Sequence, residues 1–82
     1  MLRSASRGER HVAELVSAEM VANVHSVVVS VGDHVESGAM LLVLESMKME
    51  IPVLSEVSGL VSEIRVGAGD VVQEGDVLMV IG

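Results

Sequence analysis

Eighty-two residues, half of them apolar, with a formal net charge of −7 and neither cysteine nor aromatic side chains, make one small domain held together by aliphatic packing. Without cysteine there is no disulfide framework and no thiolate metal site, and an acidic chain lacking aromatic stacking platforms is a poor partner for nucleic acid. Apolar runs such as Val27-Val28-Val29 and Met40-Leu41-Leu42-Val43-Leu44 fall far short of a membrane span, so no membrane association is expected.

Residues 1–11 carry three arginines and one glutamate, a local +2, and no hydrophobic stretch follows before His11 and Glu14. That is not a signal peptide, and residues 1–12 read as a disordered extension ahead of a domain over 13–82. A reducing compartment is permitted, and the cytoplasm is the expected location. The domain itself holds 11 acids against only Lys48 and Arg65, a local −9. Valine supplies 18 of the apolar residues, and a β-branched side chain suits a pleated, half-buried surface, so the fold class is all-β.

The chain is two copies of one unit. Residues 16–44 laid against 53–81 give 10 identities in 29 positions, among them Val24/Val61, Gly32/Gly69, Asp33/Asp70, Val35/Val72, Gly38/Gly75 and Leu41/Leu78. Each copy reads as four short strands, near 16–21, 24–31, 34–36 and 40–46, then 53–58, 61–68, 71–73 and 77–81. An amphipathic helix over 13–24 competes for the first of these, but its match to the later copy favours a strand. Alternation at Val27, Val29, Val31 and at Ile64, Val66 marks inward faces. Asp33 and Asp70, each after a glycine, sit in tight turns and are structural. Neither half has core enough alone, so two pseudo-two-fold-related, four-stranded halves must pack as a flattened barrel or sandwich.

The join between the copies holds Glu45-Ser46-Met47-Lys48-Met49-Glu50, and Lys48 is the only lysine in the chain. Two flanking strands close on Met47-Lys48, a two-residue hairpin turn that would ordinarily recruit Asn, Asp or Gly because both central residues need positive φ. A turn built against local preference suggests that function overrode propensity. Pro52 places the following strand at an edge or irregularity. If a pseudo-two-fold relates the copies, the Lys48 turn lies at one end of the molecule and the chain termini at the other.

This hexapeptide, with glycines at 32, 38, 59, 69 and 75, resembles the biotinylation motif of the biotin carboxyl carrier protein family, over residues 16–82. The family commonly has alanine where this chain has Ser46. Lipoyl domains share the repeat and hairpin but usually carry Asp-Lys without the methionines. No insertion is long enough for the projecting thumb of some acetyl-CoA carboxylase carriers, so the resemblance is to the short, free-standing biotinyl type. It implies that a biotin protein ligase joins biotin to Lys48, that Met47 and Met49 assist recognition or carboxyl transfer, and that Glu45, Ser46 and Glu50 contact the ligase. It further implies a non-catalytic carrier, monomeric in isolation, taking a carboxyl group from a biotin carboxylase to a carboxyltransferase acting on an acyl-CoA or related acceptor.

Three other readings compete: a lipoyl carrier of a 2-oxo acid dehydrogenase-type system, a small enzyme using Lys48 as a Schiff-base nucleophile, and an unmodified interaction domain. The Schiff-base reading needs a desolvated amine, which an exposed turn does not supply. No catalytic residue is assigned, since Glu45 and Glu50 at a hairpin tip have no pocket for acid–base work. No metal site is expected, because His11, His25 and His34 lack ligand spacing.

Overall fold

The computed structural model describes residues 13–82; the expected extension over 1–12 lies outside them. Eight strands follow in order: β1 (Glu14–Ser17), β2 (Ala22–Val27), β3 (His34–Val35), β4 (Met40–Ser46), β5 (Met49–Leu54), β6 (Gly59–Ile64), β7 (Val71–Val72) and β8 (Val77–Ile81). They form two four-stranded antiparallel sheets, ordered β1-β8-β6-β3 and β5-β4-β2-β7. The all-β sandwich read from the valine content and the repeat is the observed fold, and residues 13–24 form no helix.

The two copies are not the two layers. Each sheet takes two strands from each copy, and the turns of one copy are hydrogen-bonded to the strands of the other. Gly69 N–H donates to Val24 O and Gly32 N–H to Val61 O, both at 2.8 Å. Val24 N–H donates to Asp70 O and Val61 N–H to Asp33 O, again both at 2.8 Å. Thirty-seven residues separate the equivalent partners in every case, so the sequence repeat is reproduced as a two-fold exchange of backbone bonds. The turn glycines obey it too: φ is 96° at Gly32 and 95° at Gly69. The aspartate after each glycine accepts a backbone N–H into its carboxylate, Ser30 to Asp33 at 2.8 Å and Gly67 to Asp70 at 2.9 Å. This is the side-chain-to-backbone bond that recruits Asp to turns.

The core is built from the same equivalences. Leu41 and Leu78, Leu42 and Met79, Val24 and Val61, Val35 and Val72, and Leu44 and Ile81 are all buried. Each such side chain gains roughly 1.5–3 kcal/mol on leaving water, which is how a chain without Phe, Tyr, Trp or disulfides holds its shape. At the pair Ala18/Ser55 the copies differ. Ser55 is buried, and its hydroxyl is satisfied locally by Val57 O and Val57 N–H.

Strand limits depart from the sequence reading at the first two strands of each copy: those expected over 53–58 and 61–68 are Met49–Leu54 and Gly59–Ile64, and the first copy errs likewise. The strand expected over 16–21 runs from Glu14 to Ser17. Beyond it Ala18 exchanges bonds with the other copy's turn, donating to Asp76 O and accepting from Gly75 N–H, both at 2.8 Å, which bends the chain out of its ladder. The strand expected over 24–31 ends at Val27. Val27 and Val29 pack on the core as expected, as do Ile64 and Val66. Val31 does not: it is 62% exposed, because Asp33 N–H bonds to Ser30 O at 3.0 Å and the chain turns there.

Candidate functional site

β4 and β5 pair from Met40↔Leu54 to Ser46↔Met49, so only Met47 and Lys48 remain to close the hairpin. Both adopt the left-handed region, with φ of 53° and 65°, as a two-residue primed turn requires. Among the described residues they are the only non-glycines with positive φ. The strain expected from Met-Lys in such a turn is therefore present, and at one place. β5 is an edge strand, as Pro52 demands, bonded to β4 alone.

The Lys48 side chain is exposed, and none of the ion pairs among the described residues includes it. Its side chain is accessible from solvent and lacks the burial that the Schiff-base reading requires. Met47 is 91% and Met49 62% exposed; neither folds back onto the core, although alternation allowed one to do so. Glu45 and Ser46 are half-buried and Glu50 exposed. Glu45 stands directly opposite Glu50, a like-charge pairing that disfavours the hairpin. His25 Nε2 lies 3.5 Å from the Glu50 carboxylate and relieves part of it when protonated. All six residues of the motif thus share one tip, with its two acids facing each other behind the lysine.

The tip lies at the pole opposite Ala13 and Gly82, the first and last described residues. β2 leaves the tip at Asn23, which pairs with Glu45, and runs past Leu42 opposite Val27. By His34 the chain has reached Leu60, whose carbonyl accepts the Gly82 N–H at 2.8 Å.

A shallow groove beside the hairpin escaped the sequence reading. It is lined by Lys48 itself and by Val21, Ala22, Asn23, Glu45 and Val71. Val21 and Val71 are 58% and 64% exposed. The available signal was a break in the repeat, since the equivalents of Val21 and Val71 are Ser58 and His34. No group of three or more metal-ligating side chains occurs among the described residues.

Residues 13–81 match the family model described as biotin-requiring enzyme. The chain is 58% identical over 69 residues to the biotinylated protein TB7.3 homolog of Mycobacterium leprae, covering 84% of this chain and 97% of that one. It is 48% identical over 64 residues to the biotin/lipoyl attachment protein of Bacillus subtilis, covering 78% and 88%. Its fold is similar to part of the Kluyveromyces lactis urea carboxylase, with a TM-score of 0.82 at 35% identity, covering all of this chain and 7% of that enzyme. A family match spanning the whole described fold, on a scaffold that presents one free amine at its tip, decides the assignment: the chain belongs to the biotin-requiring enzyme family as a short biotinyl domain, with biotin as its covalently bound cofactor.

Proposed function

We propose that Lys48 is the residue that carries biotin and that the chain is the non-catalytic carrier of a biotin-dependent carboxylase system of the cytoplasm. The observation behind this is the placement of the only lysine side chain: exposed, outside every ion pair found among the described residues, on a strained two-residue turn. A biotin protein ligase joins the biotin carboxyl to Nζ with loss of the elements of water, driven by ATP. Once attached, biotin supplies the chemistry of reversible carboxyl attachment. The protein's own part is mechanical and electrostatic. The hairpin projects the arm, Met47 and Met49 offer adaptable apolar contact to whichever partner closes over the tip, and Glu45, Ser46 and Glu50 present a polar collar to the ligase. Tethering converts the encounter between cofactor and a biotin carboxylase or a carboxyltransferase into an intramolecular one, so a modest intrinsic affinity suffices. The acceptor is an acyl-CoA or related compound. The domain's −9 charge draws it toward basic partner surfaces, at rates that fall as salt rises.

Lipoylation is not favoured: the matching family is described as biotin-requiring, and the M. leprae relative is a biotinylated protein. The deciding experiment is intact mass of the chain after incubation with a biotin ligase, biotin and ATP. A single biotinyl adduct is expected, and none on Lys48→Arg. An adduct on Lys48→Arg would refute the site.

A further inference from the structure

We propose that Met47 and Met49 form a reversible oxidation site beside the attachment point: a peroxide converts their thioethers to sulfoxides, and the oxidised tip is loaded slowly until a dithiol reduces it. The inference rests on Lys48 being the residue that a biotin ligase loads. With no cysteine, tryptophan or tyrosine in the chain, thioethers are its only readily peroxidised groups. The fold grades the five described methionines sharply. Met79 is fully buried and Met20 packs half-buried against the core, whereas Met40 is 47%, Met49 62% and Met47 91% exposed. Exposure sets the order in which a small oxidant reaches them. The two fastest sites are therefore the residues on either side of Lys48.

In the forward step a sulfur lone pair attacks one peroxide oxygen. The O–O bond breaks as the S–O bond forms, sulfur gives up two electrons, and water leaves. In the return step a dithiol supplies two electrons and two protons, becoming a disulfide, and the sulfoxide oxygen departs as water. Neither step touches the Lys48 amine or the core. At Met47 the added oxygen projects into solvent, and Met49 lies exposed on the edge strand β5. The effect falls on contact instead. A thioether is a soft, adaptable apolar surface, and a sulfoxide is a polar, chiral one. A partner closing over the oxidised tip must strip water from two S=O groups to which an apolar surface offers no donor, the situation of a buried unpaired acceptor. The backbone adds a second observation. Met47 holds a φ of 53° that asparagine would adopt with less strain, and a side chain kept there against backbone preference points to the chemistry of its exposed sulfur.

The test doses the full chain with hydrogen peroxide, removes the oxidant, maps sulfoxides by peptide mass and follows loading by intact mass with a biotin ligase, biotin and ATP. Among the five described methionines, oxidation is expected at Met47 first, Met49 next and Met40 after them, with Met79 spared. The chain oxidised at Met47 and Met49 should keep the thermal midpoint of the reduced chain. Its loading should slow by at least about fivefold, the lower end for a buried unpaired acceptor, and recover after treatment with methionine sulfoxide reductases and dithiothreitol. A Met47→Leu/Met49→Leu variant loads at a rate of its own, and peroxide should leave that rate unchanged. Equal loading of the reduced and oxidised parent chains would overturn the switch alone. So would a peroxide effect that persists in the double variant, or oxidation that reaches Met79 before Met47. A reduced chain that accepts no biotin would overturn this inference together with the attachment reading.

Discussion

Replacing Met47 with asparagine should make the domain more stable. Left-handed backbone costs an ordinary L residue roughly 1–2 kcal/mol, and Met47 sits there at φ 53°. Asparagine tolerates the conformation because its short side chain bonds locally, and it is a preferred residue of primed hairpin turns. Normally the loss of a methionine's packing would offset this gain, but Met47 is 91% exposed and has almost none to lose. The net expectation is about 1 kcal/mol of added stability, a rise in the thermal midpoint of about 4–8 °C for a domain of this length. Thermal unfolding of unmodified Met47→Asn and parent chains, followed by far-ultraviolet circular dichroism, measures it. An unchanged or lower midpoint would show that the turn stores no strain, and with it would go the argument that function overrode propensity at this site. With a higher midpoint, slower loading by the ligase would show what the methionine is kept for.

The repeat makes further outcomes checkable in pairs. Leu41 and Leu78 are equivalent and fully buried, so alanine at either should cost about 2–5 kcal/mol in urea unfolding, and the two losses should agree within about 1 kcal/mol. Gly32→Ala and Gly69→Ala should each cost roughly 1–2 kcal/mol although a Cβ would meet nothing within 4 Å, because φ near +95° is the obstacle. Gly67→Ala, equally open but without positive φ, should be neutral or stabilising by up to about 1 kcal/mol; a loss like that at Gly69 would refute the conformational explanation.

Much of this architecture was legible in the chain because the duplication is also a duplication of physics. Leu41 and Leu78, or Gly32 and Gly69, mark the same inward face and the same turn twice, so each half corroborates the other. The candidate site stood out for a different reason: a lone lysine in a turn of the wrong composition is an anomaly, and anomalies in short sequences are visible. What stayed hidden was partnership. Alternation states which way Val24 and Val61 face but not that Val24 is bonded to the Gly69-Asp70 turn and Val61 to the Gly32-Asp33 turn, since period-two patterns carry no information about the neighbouring strand. The strand limits near Ala18 and Val31 failed for that reason, each being set by bonds to residues remote in sequence or by a turn that interrupts an otherwise valine-rich run. The groove walls stayed hidden because exposed valines look like core residues until burial is known.

The closeness of the first and last described residues has a consequence for how such a unit is mounted. Ala13 and Gly82 are near neighbours: the Ala13 Cα lies 3.0 Å from where a Cβ on Gly82 would stand. Polypeptide can enter and leave at one spot, so the sandwich can be spliced into a larger host as a knob on a double stalk. Neither sheet need open for this, and the stalk emerges from the pole farthest from the Lys48 turn.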